Sequence, residues 1–252
     1  MHNLTQETLP GAGPFYFQGN KTGILMIPGG GGGTCADLKY IADDIHNKTG
    51  FTIHIPLLPG FGTSPKDLKN TLIVAWENAL NEEIQLLEEK CDKLIVGGHS
   101  MGGVLALILA DKYELDGIFT ISAPTGIKAI GSKLVPLLKI FIKYYPVDSA
   151  KFKKETNNKW VGYNKIPLNQ VTKMKKLIKQ MKQILPNIKC PALLLQGRLD
   201  SAIKTNSMDY IYEKIGSIVK KKLWLENNDH PILESPDHDK IVSELINFVK
   251  EI

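Results

Sequence analysis

The sequence is poor in cysteine and contains no long apolar run. Its three cysteines, Cys35, Cys91 and Cys190, are odd in number and lack metal-ligand spacing, so neither paired disulfides nor a metal site is expected. The most apolar stretch, 104–110, is far shorter than the roughly 20 residues that cross a bilayer. Residues 1–10 show no basic start followed by an apolar run, so no signal peptide is expected. These absences predict a cytoplasmic protein.

What is present is the composition of a globular protein with an uneven charge distribution. The 252 residues are 43% hydrophobic and 23% charged, enough for a single domain with an insertion. The net charge is +5, but the segment 125–188 carries fourteen lysines against Asp148 and Glu155, a local +12 that leaves −7 elsewhere. Lysines on amphipathic helices are usually a solvated face, yet they also attract anionic surfaces. A solvated face and weak membrane-surface contact are both open interpretations.

Short runs rich in β-branched residues alternate with longer helical patterns along the chain. This alternation predicts a mainly parallel sheet with helices on both faces. Residues 15–17 predict a first strand that turns through Gly19 and Asn20 into a hairpin. The further predicted strands are 24–27, 51–55, 93–96, 117–121, 192–196 and 221–225, and the predicted helices are 36–48, 72–90, 101–113, 206–215 and 237–250.

The alternation breaks once, between residues 125 and 186. No strand is expected there, and the segment has the pattern of lysine-rich helical pieces separated by Pro136, Pro146 and Pro167. We expect residues 125–188 to form a cap over the carboxyl edge of the sheet, where open α/β sheets bind ligands. Apolar cap residues either line an acyl pocket or pack between cap and core; they are Leu134, Leu137, Leu138, Ile140, Phe141, Ile142, Trp160, Met174, Leu177 and Ile178.

The most specific local pattern is Gly98-His99-Ser100-Met101-Gly102, which lies between a predicted strand and a predicted helix. A serine on such a sharp turn is strained and tolerates only small neighbours two positions before and after it. The helix that follows directs free N–H groups and its positive dipole end to the same point. Ser100 is therefore a candidate nucleophile with the Met101 N–H as an oxyanion donor. The alternative is an ordinary glycine-rich turn with a capping serine.

A serine nucleophile needs a base and an acid, which in strand-to-helix serine enzymes follow in the order Ser, Asp or Glu, His. Asp200 comes just after the strand 192–196, and His230 comes just after the strand 221–225. We predict Asp200 as the acid and His230 as the base. His238 is the rival base. Among the other histidines, His99 adjoins the nucleophile and is expected to point away from it.

Other carboxylates near these two predicted residues are weaker candidates for the acid. Asp229 is too close in sequence to His230 to orient its ring from behind, and Glu226 has no turn of its own after a strand. Solvation of the loops or capping is the expected role of both.

The run Pro28-Gly29-Gly30-Gly31-Gly32-Gly33-Thr34 follows the first central strand. Glycines there let the backbone approach a tetrahedral intermediate, and the Gly30 N–H is the candidate second oxyanion donor. Phosphate binding is disfavoured because no Lys-Ser/Thr follows the glycines, and Thr34 stands where a dinucleotide fingerprint needs glycine. A flexible linker is the remaining alternative.

Taken together, these motifs resemble those of bacterial carboxylesterases and monoacylglycerol lipases of the α/β-hydrolase superfamily. The resemblance covers nearly the whole chain and rests on the segments 14–17, 24–33, 59–64, 94–107, 122–124, 162–168, 197–200 and 228–230. It implies an α/β-hydrolase fold with a small helical cap, and ester hydrolysis through Ser100, His230 and Asp200 without a cofactor or metal. One departure is that the family usually has His-Gly-Phe where this chain has Pro28-Gly29-Gly30.

The expected substrate is a small molecule, a short-to-medium acyl ester or a monoacylglycerol, and no nucleic-acid partner is expected. The alternatives are thioesterase or peptidase activity on the same triad, and a non-catalytic homologue that binds a ligand.

Overall fold

Seven strands form one sheet in a computed structural model that describes residues 7–128 and 143–252. In chain order the strands are β1 (Phe15–Phe17), β2 (Thr22–Ile27), β3 (Thr52–Ile55), β4 (Lys93–His99), β5 (Gly117–Ile121), β6 (Tyr144–Pro146), β7 (Lys165–Pro167), β8 (Ala192–Gly197) and β9 (Lys220–Leu225). The sheet has the order β1-β3-β2-β4-β5-β8-β9 and is parallel except for the pair β1 and β3. The mainly parallel sheet is therefore confirmed.

Helices cover both faces of this sheet. They are α1 (Ala36–Thr49), α2 (Pro65–Asn70), α3 (Ile73–Glu88), α4 (Met101–Leu109), α5 (Ser149–Glu155), α6 (Asn169–Ile184), α7 (Ser207–Lys214) and α8 (His238–Glu251). Buried residues of α1 and α8 form one core cluster with the sheet, and those of α3, α4, α6 and α7 form the other. The sequence did not predict α2, a six-residue helix capped by Ser64, because it is too short to show a helical period.

The two cores explain why the central strands have no polar alternation. In β2, Ile24 and Met26 belong to one cluster and Leu25 and Ile27 to the other, and all four are at most 1% exposed. A strand covered on both faces needs apolar residues at every position. Burial of each such side chain contributes on the order of 2 kcal/mol to folding.

The predicted opening hairpin is wrong. β1 pairs antiparallel with β3, with Phe15 opposite Ile55 and Phe17 opposite Ile53. Both edges of β2 are already occupied by the parallel strands β3 and β4, so β1 cannot pair with β2 and lies on the free edge of β3. The chain between β1 and β2 passes the start of β3, where the Asn20 N–H donates to the Gly50 carbonyl at 2.7 Å.

The expectation of no strand in the segment 125–186 is also wrong for its described part. β6 and β7 pair antiparallel, with Tyr144 opposite Pro167. Each has three residues and includes a proline, so neither shows a strand period, and their pairing depends on tertiary proximity. Of the residues expected in the cap, Leu134, Pro136, Leu137, Leu138, Ile140, Phe141 and Ile142 lie outside the described residues.

Helix α6 packs against the core rather than standing clear of it. Leu177, Ile178 and Met181 are buried in the same cluster as α4. Lys173 on this helix is also buried, and its ammonium donates to the Leu68 carbonyl at 2.7 Å; burial lowers the pKa of Lys173 to about 8. None of the helices in the described ranges has the length and hydrophobicity that a membrane span requires.

Candidate active site

Ser100 occupies a strained turn between β4 and α4. Its backbone has φ 53° and ψ −116°, a conformation that costs free energy in any residue with a side chain. The turn is tight because the chain passes close to β2: a Cβ on Gly98 would lie 2.4 Å from the Ile27 carbonyl oxygen, and one on Gly102 would lie 1.9 Å from it. The two glycines are therefore required by close backbone approach.

The structure brings Ser100, His230 and Asp200 into one hydrogen-bonded chain. The Ser100 hydroxyl is 2.9 Å from His230 Nε2, and His230 Nδ1 is 2.8 Å from Asp200 Oδ2. Since a carboxylate accepts only, Nδ1–H donates to Asp200 and Nε2 is free to accept the serine proton. The three residues follow β4, β8 and β9, whose carboxyl ends lie at the same edge of the sheet.

Asp200 is held as a carboxylate. Its side chain is fully buried, and its other oxygen, Oδ1, accepts the N–H groups of Ala202 and Ile203 at 2.9 and 3.0 Å. Burial by itself raises the pKa of Asp200. The hydrogen bond from His230, the positive charge of His230 and the hydrogen bonds from the two backbone N–H groups together outweigh burial, so the pKa lies below its usual value. A charged Asp200 orients the His230 ring and stabilises its protonated form.

Asp229 joins the loop that carries Asp200 to the loop that carries His230. Its Oδ1 accepts the N–H groups of Ser201 and His230, both at 2.7 Å. This role is more specific than the expected loop solvation or capping. Proximity in sequence to His230 was the only signal for it, because the contact with Ser201 crosses from one strand end to the next.

His238, the rival base, and Glu226, a weaker candidate for the acid, both lie away from Ser100. His238 Nε2 is 2.7 Å from Asp44 Oδ2, at the start of α8. Glu226 pairs with the Arg198 guanidinium at 3.1 Å on the surface. Neither belongs to the hydrogen-bonded chain of Ser100.

The side chain of His99 lies at the site, although the sequence predicted that it would point away from Ser100. It is 6% exposed, and its Nε2 lies 2.8 Å from the His230 carbonyl oxygen. A carbonyl only accepts, so Nε2 carries the proton and Nδ1 presents a lone pair. Burial lowers the pKa of His99 to about 3, with the charge of His230 adding to the effect and the hydrogen bond to the His230 carbonyl opposing it. His99 is thus neutral at physiological pH.

The glycine loop lies directly beside the serine turn. A Cβ on Gly30 would meet Met101 Sδ at 2.6 Å, and one on Gly29 would lie 3.6 Å from the Ser100 Cβ. Within the described residues, neither the Gly30 N–H nor the Met101 N–H donates to another protein group. Both donors are therefore available to a negatively charged oxygen on a group attached to Ser100.

Ser100 opens into a cavity of about 150 Å³ that residues of the segment 125–188 help to enclose. Phe152 and Trp160 stack there with ring centroids 5.5 Å apart. Ile232 and Leu233 line the cavity with apolar side chains on the side of the loop that carries His230. The cavity suits a small, partly apolar substrate.

Tyr163 anchors the segment 125–188 to the glycine loop, a role that was not predicted. Its N–H donates to the Gly32 carbonyl at 3.0 Å, and its hydroxyl donates to the Gly60 carbonyl and accepts the Thr63 N–H, both at 2.8 Å. Thr34 adds a hydrogen bond to the carbonyl of residue 161 at 2.9 Å. The wall of the cavity is therefore tied to the loop that carries Gly30.

A family model described as "Serine aminopeptidase, S33" matches residues 19–237 of the chain. The chain belongs to this family. The S33-family hydrolase is similar to curated proteins over most of its length. It is 29% identical over 241 residues to a thermostable monoacylglycerol lipase of Bacillus sp. (strain H-257), covering 95% of both chains. It is 26% identical to a carboxylesterase of Bacillus subtilis (strain 168), covering 95% of this chain and 96% of that one.

Solved structures agree with the fold of this S33-family hydrolase. One, described under "LipS and LipT, two metagenome-derived lipolytic enzymes", has a TM-score of 0.89 and 27% identity, and covers 98% of this chain and 100% of that one. A monoacylglycerol lipase of Paleococcus ferrophilus has a TM-score of 0.76 at 18% identity, covering 94% and 98%. The predicted α/β-hydrolase fold and the resemblance to bacterial carboxylesterases and monoacylglycerol lipases are confirmed: the chain is a hydrolase of that type.

Proposed function

We propose that this protein hydrolyses carboxylic esters of short-to-medium acyl chains through a covalent acyl-enzyme. Ser100 is the nucleophile, His230 the base, and Asp200 the acid that orients the base. The observation that carries the proposal is the continuous hydrogen-bonded chain from Ser100 Oγ through His230 to Asp200, with 2.9 and 2.8 Å between the heavy atoms. The names of the curated relatives support ester hydrolysis.

The reaction has two halves that use the same groups. His230 Nε2 takes the Ser100 proton as Oγ attacks the ester carbonyl, and the N–H groups of Gly30 and Met101 stabilise the oxyanion. Protonated His230 then gives its proton to the departing alcohol, which leaves an acyl group on Ser100. Water enters, and His230 takes its proton as the water oxygen attacks the acyl carbonyl to form a second tetrahedral intermediate. Its collapse breaks the bond to Ser100 Oγ, His230 returns the proton to Oγ, and the acid is released.

The same proposal treats residues 1–252 as a single α/β-hydrolase domain with 125–188 as its cap. The hydrogen bonds of Tyr163 to the glycine loop and the contribution of Phe152 and Trp160 to the cavity support this division. The modest cavity, about 150 Å³, favours small esters. We expect the protein to act in the cytoplasm, and cell fractionation tests this location.

Labelling with a fluorophosphonate tests the nucleophile. We expect the wild type to be labelled and to hydrolyse p-nitrophenyl butyrate, and Ser100→Ala to lose both. Ser243→Ala is the matched control, because Ser243 is on the exposed surface of α8 and bonds only to the carbonyl of its own helix. For the base, His230→Ala should lose activity and His238→Ala should keep it. A labelled and active Ser100→Ala would refute the assignment.

Thioester or amide hydrolysis on the same triad is the second candidate, and the name of the family, serine aminopeptidase, favours the amide. Rates for an ester, a thioester and an amide of the same acyl group separate the activities; we expect the ester to be fastest. A non-catalytic protein that binds a ligand would show no labelling at all.

Weak contact with anionic membranes is a further proposal, supported by lysines of the segment 143–188. The exposed ones are Lys143, Lys151, Lys153, Lys154, Lys165, Lys175, Lys176 and Lys179. Binding to vesicles containing anionic lipid should be detectable at low salt and lost at high salt, since salt screens such attraction. No binding at low salt would end this proposal.

A further inference from the structure

A second carboxylate, Asp37, lines the same cavity as Ser100 and has no role in the proposed triad. It lies in the first turn of α1, directly after the glycine loop. A Cβ on Gly33 would lie 2.1 Å from Asp37 Oδ2, so the glycine at position 33 makes the space that the carboxylate occupies. The loop that supplies the Gly30 N–H therefore also admits an acidic side chain to the cavity.

The Asp37 side chain has no hydrogen-bond partner among the described residues. Its Oδ1 is enclosed, while the side chain as a whole is partly exposed and lines the cavity. It does not cap its helix, because the residue at the N-cap of α1 is Cys35 and no side chain caps that end. Burial raises the pKa of Asp37 to about 7. A largely desolvated carboxyl group without a partner costs free energy, so its position beside Ser100 points to a partner from outside the protein that reaches Oδ2.

The other polar side chains of the cavity outside the triad are closed to a ligand. His99 Nδ1 makes no hydrogen bond among the described residues, but it is buried, and a Cβ on Gly29 would lie 3.1 Å from it, so the glycine loop packs against it. The Thr156 hydroxyl donates to the Phe152 carbonyl at 2.7 Å and accepts the Trp160 N–H at 3.1 Å. Asp37 is therefore the side chain through which the cavity can bind a polar group of a ligand.

Asp37 also faces a neighbouring polar cavity of about 320 Å³. The two cavities share Asp37, Ile232 and Leu233, and the neighbouring one is lined by polar side chains that include Asp44 and His238. The remaining wall of the catalytic cavity is largely apolar. The side of the site around Asp37 is therefore the side that suits the more polar part of a substrate.

We infer that Asp37, through Oδ2, forms a subsite for a hydrogen-bond-donating group, a hydroxyl or a protonated amine, on the alcohol part of the substrate. The inference rests on the proposed ester hydrolysis and adds what the alcohol must carry. A donor bound there gives Asp37 a partner and places the ester bond near Ser100. An ester with an alkyl alcohol covers Asp37 without giving it a partner, which weakens its transition state relative to the donor ester.

Two matched pairs of butyrate esters test the subsite. In the first pair, 2-hydroxyethyl butyrate is the donor ester, and propyl butyrate has a methyl group in place of its hydroxyl. In the second pair, 2-(dimethylamino)ethyl butyrate is the donor ester, and 3-methylbutyl butyrate has a carbon in place of its protonated nitrogen. We expect kcat/KM of the wild type to favour at least one donor ester over its alkyl partner by about 10- to 100-fold, the range for a hydrogen bond to a charged or buried acceptor.

Three variants assign the preference to Asp37. Asp37→Leu removes both acceptor oxygens and should reduce the preference to about onefold while propyl butyrate hydrolysis continues. Asp37→Asn keeps one acceptor oxygen but no charge, so it should keep a preference for the hydroxyl and lose one for the amine. Asp43→Leu is the matched control, since Asp43 is on the same helix and lines neither cavity. It should behave as the wild type.

The outcomes separate this inference from the proposed function. Hydrolysis of all four esters that depends on Ser100, with equal kcat/KM within each pair, overturns the subsite and leaves the proposed function standing. A preference that survives Asp37→Leu also overturns it. If no ester is hydrolysed, the proposed function fails. Ligand-observed NMR with the four product alcohols then still tests the subsite. The donor alcohols should bind the Ser100→Ala variant and should not bind the double variant that carries both Ser100→Ala and Asp37→Leu. Equal binding to both would overturn it.

Discussion

Replacing Asp37 with asparagine should stabilise the protein at neutral and alkaline pH. The change keeps the shape of the side chain but removes a carboxylate whose Oδ1 is enclosed without a partner. Burial raises the pKa of Asp37 from its usual 3.8 to about 7. The folded state therefore holds this proton more tightly than the unfolded chain does, and ionisation works against folding.

The magnitude follows from the two pKa values. Between pH 3.8 and about 7 the unfolded carboxyl group ionises while the folded one stays protonated, so this group lowers stability as pH rises. The full cost, reached above pH 7, is about 4 kcal/mol at roughly 1.4 kcal/mol for each pKa unit. Because the side chain is partly exposed, solvent screening reduces this, and we expect a cost of about 2 to 4 kcal/mol. Below pH 3.8 the cost vanishes.

Urea denaturation of the wild type and Asp37→Asn at pH 4 and pH 8 measures the effect. Urea is preferable to guanidinium because it adds no salt, which would screen the charge. The stability of the variant relative to the wild type should increase by about 2 to 4 kcal/mol from pH 4 to pH 8, and groups that titrate equally in both proteins cancel. A relative stability that is constant with pH, or that falls, would refute the argument, because the carboxylate would then be solvated or paired.

Four further substitutions test the site. Asp200→Asn should lower kcat on p-nitrophenyl butyrate by about 10³- to 10⁴-fold with little loss of binding, because His230 loses the partner that holds its tautomer. Asp229→Ala should lower kcat by about 10-fold with little change in melting temperature, because the loops that carry Asp200 and His230 lose a shared acceptor; unchanged kcat would show that the bridge is unimportant. Gly102→Ala should prevent folding, since its Cβ would lie 1.9 Å from a carbonyl oxygen, whereas Gly31→Ala, whose Cβ meets nothing within 4 Å, should melt as the wild type does.

Much of the site was predictable because its residues directly follow strands. Ser100, Asp200 and His230 come after β4, β8 and β9, and parallel strands bring their carboxyl ends to one edge. Local periodicity identifies such strands without knowledge of their neighbours. The glycines around Ser100 were predictable for the same reason, since a tight strand-to-helix turn limits residue size locally.

The pairing of short strands could not be predicted in this way. β1 was expected to pair with β2, but the edges of β2 were already taken by β3 and β4. β6 and β7 have three residues each and include a proline. Which edge is free, and which short segments meet, depends on the assembled sheet rather than on any local period.

The sequence alone determined the class of fold, the order of Ser100, Asp200 and His230 after their strands, and the glycine loop, because each follows from local patterns of hydrophobicity and residue size. Tertiary structure decided the rest of the site. It placed Asp229 between two loops, turned His99 toward His230, and brought Asp37 into the cavity of Ser100. Desolvation and hydrogen-bond satisfaction depend on neighbours distant in sequence, so the partners of these side chains emerge only once the chain is folded.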